Sequence, residues 1–379
     1  MTLAIYIHWP FCVSKCPYCD FNSHVADAVD HDAWRGAYVR ELEHYAKALP
    51  ARRVTSVFFG GGTPSLMEAR TAEVILQNIA RLWSVDDDAE ITLEANPSSA
   101  EAGKFADFRA AGVNRLSLGV QSLREDALKF LGRAHDADEA KCAIALAAKT
   151  FPRFSFDLIY ARQGQTPDMW CEELREALQM AGDHLSLYQL TIEPHTQFDT
   201  RARRGEFLTA KDDYAVSMFE ATQEMMDAAA MPAYEISNHA RAGHESRHNL
   251  TYWHYGDYIG IGPGAHGRYR NGARMAAENH RAPDIWLQET MKQGRGVKQA
   301  AEIDDKTAMR EALMMGLRLT AGIAHEEWNE KFDMPLVQFL PSEKAARLVG
   351  EGYLAQDDTR LRATRAGLQR LNAVLGYLD

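Results

Sequence analysis

Short unbroken apolar runs alternate with longer stretches of helical periodicity through the first half of the chain. Leu3–His8 (Leu-Ala-Ile-Tyr-Ile-His) is apolar at nearly every position, which suits a strand buried on both faces. Similar runs follow at Val54–Phe59, Glu90–Ala95, Asn114–Gly119, Arg153–Tyr160 and His184–Thr191. Between them, apolar residues recur three and four apart over His31–Leu49, Met67–Trp83, Glu101–Ala111, Arg124–Lys149 and Asp168–Met180. Pro50 stops the first helical stretch and Asn96-Pro97 the third strand. Alternation of this kind predicts βαβ units and a parallel sheet. The units are too few to close an eight-strand barrel. The expected fold is therefore α/β, a partial (β/α)6 TIM-like barrel left open on one side.

The rhythm changes after residue 235. The segment 236–285 carries a dense run of histidines and aromatics, Arg247–Tyr255, and then Gly267–Arg274, whose Gly, Arg and Asn content reads as a linker. Amphipathic helices at Asp304–Leu319 and Glu343–Val349 follow. Gly352–Gln356 and Thr359–Ala363 read as a hairpin, and Thr364–Leu378 as a closing helix. Helices followed by a two-stranded wing predict a small α+β, winged-helix-like domain. The expected division is 1–235, 236–285 and 286–379. Winged helices often bind DNA, but a fold does not establish a function, so the expected role is a lid or a partner-docking surface.

Composition narrows the classes. A chain of 379 residues implies two or three domains. A net charge of −11 argues against a nucleic-acid partner. No apolar run approaches the roughly 20 residues of a membrane span. Leu3–Phe11 lacks a basic flank and reads as a strand, not a signal peptide. Of the five cysteines, Cys12, Cys16 and Cys19 are clustered, and Cys142 and Cys171 lie apart on helical stretches. That usage points to a reducing, cytoplasmic location. Cys142, Cys171 and the methionines Met225, Met226, Met314 and Met315 read as packing residues.

The chemistry concentrates in Cys12-Val13-Ser14-Lys15-Cys16-Pro17-Tyr18-Cys19, a C-x3-C-x2-C pattern. Thiolates hold iron–sulfur clusters. Three thiolates on a four-iron cluster leave one iron without a protein ligand, and an open position is where a substrate binds. The competing readings are a zinc site completed by His8 or His24, and a disulfide with a spare thiol. The second is disfavoured because nothing marks the chain as secreted.

Other unusual residues map to strand ends. Gly60-Gly61-Gly62-Thr63-Pro64 follows the second strand, Glu94 and Asn96 end the third, Gln121 follows the fourth, and Asp157 lies near the end of the fifth. All would gather on one rim, the C-terminal face of the sheet. Glycine there lets backbone approach a ligand closely. Tyr6 and Tyr18 can line the same cleft or belong to the core. Gly262-Pro263-Gly264-Ala265-His266-Gly267 fits G-x-G-x-x-G, but a dinucleotide fingerprint needs a helix after it, and a turn-like segment follows.

These motifs resemble the radical S-adenosylmethionine (radical SAM) superfamily, in its oxygen-independent coproporphyrinogen oxidase-like branch. The resemblance covers most of residues 1–270. It implies a 4Fe-4S cluster on Cys12, Cys16 and Cys19, with S-adenosylmethionine on the open iron, where reduction cleaves the sulfonium. It implies that Gly61, Gly62 and Thr63 meet the methionine amino group. Glu94, Gln121 and Arg133 would contact S-adenosylmethionine, with Asp157 at its ribose or adenine end. Arg133 can pair with the methionine carboxylate as a fork.

His248-Asn249-x-x-Tyr252-Trp253 matches the H-N-x-x-Y-W signature of the haem-binding chaperones in this branch. His248 is therefore the candidate haem contact, set against a plain aromatic cluster that braces the barrel's open side. The branch's decarboxylating enzymes carry a further cysteine two places after the third. This chain has Cys19-Asp20-Phe21, and Phe21 agrees with the chaperone-like members. It departs from the branch after the fifth strand, where Ala161-Arg162-Gln163-Gly164-Gln165-Thr166 replaces Gly-x-Pro-Gly-Gln-Thr. The resemblance thus implies a protein that carries haem to client haemoproteins. The alternatives are radical decarboxylation of coproporphyrinogen III to protoporphyrinogen IX, and a structural zinc protein with a DNA-binding wing. A homodimer is left open.

Overall fold

A parallel sheet covered by helices hides both faces of its strands, so the continuous apolar runs become its centre. The computed structural model describes residues 1–26 and 28–379. Six strands lie side by side in chain order, each parallel to the next. They are β1 (Thr2–Trp9), β2 (Arg53–Gly61), β3 (Ser84–Ala95), β4 (Arg115–Gln121), β5 (Arg153–Tyr160) and β6 (His184–Gln189). Leu3, Ala4, Ile5, Ile7 and Trp9 are all buried, so β1 has no solvent face.

The sheet does not close. Antiparallel β7 (Asn238–Ala240) follows β6. The other side of β1 takes parallel β8 (Tyr258–Ile261), then antiparallel β9 (His266–Asn271), β10 (Ala273–Asn279) and β11 (Val297–Glu302). The open α/β partial barrel is thus the inner part of an 11-stranded mixed sheet. Gly267–Arg274 is not a linker but part of the β9–β10 hairpin, with Gly272 (φ +74) at its tip. Its strands are only half covered, so they need no unbroken apolar run. The G-x-G-x-x-G segment leads from β8 into this hairpin and not into a helix.

Helix α1 (His31–Ala48) is capped by Asp30, whose side chain accepts from the Ala33 N–H. Its buried stripe is Trp34, Ala37, Tyr38, Leu42 and Tyr45, with Glu41 in its midst. The predicted helix at Glu101–Ala111 forms as two pieces, Ser99–Ala102 and Phe105–Ala110. The helical stretch Arg124–Lys149 is broken between Glu125–Phe130 and Ala137–Thr150, where Gly132 (φ +67) turns the chain. That break carries Arg133. At the variant turn after β5, Ala161 (φ +59) adopts the left-handed conformation that glycine takes more easily.

A second core, from Ala308 to Leu378, packs around Trp328, Phe332 and Leu361. The expected wing forms between Leu354–Gln356 and Arg360–Ala363, and Ile323–Ala324 adds a third strand. Arg268 pairs with Glu311 at 2.9 Å to join this unit to the main sheet. Among the described residues no helix is long and apolar enough to cross a membrane.

Candidate functional site

The C-terminal ends of β1 to β6 open into one cleft of about 640 Å³. Cys12, Cys16 and Cys19 border one side of it; Glu94, Gln121 and Asp157 border it from successive strand ends. Tyr18, Phe21, Gly62, Thr63 and Arg133 also line it. Tyr6, Gly61 and His248 do not. Tyr6 stands behind the strand ends, its hydroxyl 3.0 Å from His8 Nδ1.

The cysteine loop is held from several directions. Phe11–Cys12 pairs with His24–Val25 as a two-residue ladder. The Cys19 N–H donates to the Cys16 carbonyl at 3.1 Å, and the Phe198 N–H to the Pro17 carbonyl at 2.9 Å. Each sulfur has its own polar neighbour: Thr63 Oγ1 lies 3.3 Å from Cys12 Sγ, Arg133 Nη1 3.4 Å from Cys16 Sγ, and Ser23 Oγ 4.0 Å from Cys19 Sγ. Burial raises the thiol pKa values of Cys12 and Cys19, and hydroxyl neighbours oppose it. An iron site overrides that by binding the thiolate.

The glycine run is zipped onto this loop. The Gly62 N–H donates to the Trp9 carbonyl at 2.7 Å and the Thr63 N–H to the Phe11 carbonyl at 2.8 Å. A Cβ on Gly62 would lie 2.7 Å from the Phe11 carbonyl oxygen, so only glycine permits the approach. The Gly61 N–H donates to Glu94 Oε2 at 3.2 Å. These donors are spent within the protein, and the Thr63 carbonyl already accepts from the Leu66 N–H at 3.0 Å; an ammonium group, which only donates, needs acceptor oxygen here.

Among the described residues, neither Glu94 nor Asp157 has an ion-pair partner. Burial first, and then the neighbouring Asp157, push Glu94 up to about 8; burial pushes Asp157 up to about 6. Asp157 Oδ1 is buried without a hydrogen-bond partner. Gln121 sits in the left-handed region (φ +70), a conformation uncommon outside glycine.

Arg133 is not poised as a free fork. Its Nη1 reaches Cys16 Sγ and the Tyr18 hydroxyl, each at 3.4 Å, and its Nη2 reaches Asn96 Oδ1 and the Gly119 carbonyl. Only Nε is buried and unpartnered. Asn96, which the sequence places on the rim without a contact of its own, is the partner of that guanidinium. Its position at a strand end beside Pro97 was visible, but the role was not.

His248 is buried under the helix Arg247–Trp253. Its Nδ1 lies 2.9 Å from Ser56 Oγ and its Nε2 2.7 Å from the Tyr252 hydroxyl. Its ring stacks on Phe58 at 5.0 Å. Both nitrogens are engaged, and burial lowers its pKa to about 3. His8 is likewise committed, to Tyr6 and to the Asn22 carbonyl. His24 Nε2 lies 3.2 Å from Asn22 Oδ1. His8 therefore has no nitrogen left to complete a zinc site. Among the described residues, no three His, Cys, Asp or Glu side chains are gathered for a single metal ion. A four-iron cluster instead spreads its thiolates over separate irons. Three sulfurs on one cleft, an orphaned buried oxygen on Asp157 in its wall and the cleft's volume all fit a cluster with a nucleoside-sized partner.

The chain matches the radical SAM superfamily over residues 6–177 and the HemN C-terminal domain over 303–370. It is 38% identical to the mitochondrial radical S-adenosyl methionine domain-containing protein 1 of Danio rerio, over 98% of this chain and 86% of that one. It is 36% identical to the heme chaperone HemW of Escherichia coli (strain K12), over 98% and 97%. The corresponding figure for HemW of Bacillus subtilis (strain 168) is 31%, over 98% of each. The structure of coproporphyrinogen III oxidase (HemN) from Escherichia coli superposes with a TM-score of 0.83 at 21% identity, over 100% of this chain and 90% of that one, which is a likeness of fold. The chain therefore belongs to the radical SAM superfamily, in the family that contains the HemW haem chaperones and the mitochondrial radical S-adenosyl methionine domain-containing protein 1.

Proposed function

We propose that this chain is a haem chaperone on a radical SAM scaffold, which binds haem and passes it to client haemoproteins in a reducing, cytoplasmic compartment. The observation that carries the reading is its 36% identity, over 98% of its length, to a protein named as a haem chaperone. Phe21 in place of a further cysteine supports it, as does the His248–Trp253 signature.

Cys12, Cys16 and Cys19 hold the cluster. When bound, the cluster and S-adenosylmethionine supply reductive cleavage of the sulfonium. Gly62 and Thr63, which line the cleft, offer carbonyl oxygen to the amino group of the cofactor, and Gly61, which does not, supports them from behind. Glu94, Gln121 and Asp157 hold its polar groups, and the orphaned Asp157 oxygen accepts from a hydroxyl. Tyr18 and Phe21 wall the cleft on the cysteine side, and Tyr6 backs it through Gly60. A contact from Arg133 to the methionine carboxylate requires Nε, or release of Asn96 or the Gly119 carbonyl. His248 is proposed as the haem contact on the signature. Iron ligation there requires its bond to Tyr252 or Ser56 to break.

Anaerobic reconstitution with iron and sulfide, followed by haem titration and transfer to an apo-haemoprotein, tests the reading. Haem uptake and transfer without protoporphyrinogen formation is expected. Production of protoporphyrinogen IX from coproporphyrinogen III, with reductant and S-adenosylmethionine present, would overturn it. His248→Ala is expected to weaken haem binding and shift the Soret band. Unchanged affinity and spectrum remove that residue from the site.

A further inference from the structure

One chain of hydrogen bonds links two of the three cluster sulfurs. Thr63 Oγ1 reaches Cys12 Sγ at 3.3 Å, and Asn96 Nδ2 reaches Thr63 Oγ1 at 3.1 Å. Asn96 Oδ1 meets Arg133 Nη2, and Arg133 Nη1 reaches Cys16 Sγ at 3.4 Å. The direction of each bond is forced by chemistry. A guanidinium only donates. Asn96 must therefore present Oδ1 to Arg133, which leaves Nδ2 for Thr63. Thr63 thus accepts from Asn96, and its own O–H is left to donate to Cys12. Iron-bound thiolates only accept, so both ends of the relay have the correct sense.

Asn96 is itself fixed. Its N–H donates to the buried Glu101 carboxylate at 3.0 Å, and Pro97 follows it. The Gly119 carbonyl, 2.7 Å from Arg133 Nη2, holds the guanidinium from the other side.

We propose that Asn96 is a positioning residue that aims Thr63 and Arg133 at the Cys12 and Cys16 thiolates, and so sets the reduction potential of the cluster. The proposal rests on the cluster assignment above. Adding an electron places more negative charge on the thiolate sulfurs. Donors aimed at them stabilise the reduced form and raise the potential, and hydrogen bonds to sulfur are among the recognised levers on cluster potential. A charged donor counts for more than a neutral one. Losing the relay therefore makes the cluster harder to reduce.

The test is an EPR-monitored redox titration of anaerobically reconstituted protein without S-adenosylmethionine, with iron and sulfide content measured alongside. Asn96→Ala, Thr63→Val and Arg133→Gln are each expected to move the midpoint to more negative values. The Thr63→Val/Asn96→Ala double variant is expected to move it by less than the sum of the singles, because both break the same link. A wild-type midpoint in cluster-loaded Asn96→Ala, or strictly additive shifts, overturns the proposal. Should Asn96→Ala fail to hold iron, Thr63→Val, close in shape to the native residue, decides: an unchanged midpoint overturns the proposal. A purely structural role moves iron content and melting temperature but leaves the midpoint alone. A role confined to S-adenosylmethionine leaves the cofactor-free midpoint alone. If the wild-type chain takes up no four-iron cluster, the assignment beneath the proposal fails and the proposal with it.

Discussion

A partly buried carboxyl beside a second carboxyl holds its proton to higher pH, and burial and then Asp157 raise Glu94 in this way. Its pKa of about 8 lies far above the ordinary value of 4.5. Between about pH 4.5 and 8 the folded chain holds a proton that the unfolded chain has lost. The unfolded state binds fewer protons there, so stability falls as pH rises through the window. Glu94→Gln removes that dependence. Urea unfolding across this range should give a flatter stability profile for the variant than for wild type, with the largest gain at the alkaline end. Identical slopes would show that Glu94 titrates normally. Glu41 and Asp157, raised to about 7 and about 6, act in the same direction, so part of the slope should survive. The identity of Glu94 as a strand-end polar residue was readable in the sequence. The shift of its pKa was not, because it depends on burial by the assembled sheet and then on Asp157, brought to it from another strand.

At the scale of elements, the end of β2 and the turn after it are fastened to the start of the cysteine loop. Gly61 has φ +114, and a Cβ there would lie 2.6 Å from His8 Nδ1. Gly164 has φ +75, but a Cβ there would meet nothing within 4 Å. Backbone strain of this kind costs on the order of 1–3 kcal/mol. Gly61→Ala adds a collision with a ring that is hydrogen-bonded at both nitrogens. Denaturant titration should therefore show Gly61→Ala clearly more destabilised than Gly164→Ala. Equal losses would mean that backbone conformation alone matters and that the His8 contact does not.

Other elements show where local pattern sufficed. The buried strands and α1 were legible from unbroken and three-four spaced apolar residues. The β9–β10 hairpin reads as a linker by that pattern, although Asn271-Gly272 is a hairpin signal. Polar, half-covered strands look like linkers when only apolar runs are counted.

Across the whole molecule, Glu41 joins parts of the chain that are far apart in sequence. Its carboxylate accepts from the Gly262 N–H and the Gly296 N–H, both at 2.8 Å, from Trp286 Nε1 at 3.0 Å and from Asn279 Nδ2. It thereby fastens α1 to the β8–β11 side of the sheet. Removing it strands several buried donors, each costing roughly 1–3 kcal/mol. Glu41→Ala should lose about 3 kcal/mol or more and lower the melting temperature strongly. A loss within a few tenths of a kcal/mol would show that water replaces the carboxylate at little cost. A glutamate inside a helix's apolar stripe is a visible anomaly in the sequence, but its partners lie in segments that no local pattern connects to it.

By itself the sequence determined the alternation of buried strands and amphipathic helices, the openness of the barrel, the three-thiol loop and the rim on which the site residues fall. These follow from short-range periodicity and from the rule that strand ends share a face. Only the tertiary structure decided what each group does there. It turned Arg133 and Thr63 toward sulfurs, made Asn96 the link between them, sealed both nitrogens of His248 and left one oxygen of Asp157 without a partner. Hydrogen-bond direction and desolvation depend on neighbours from distant parts of the chain, and these meet only when the sheet is assembled.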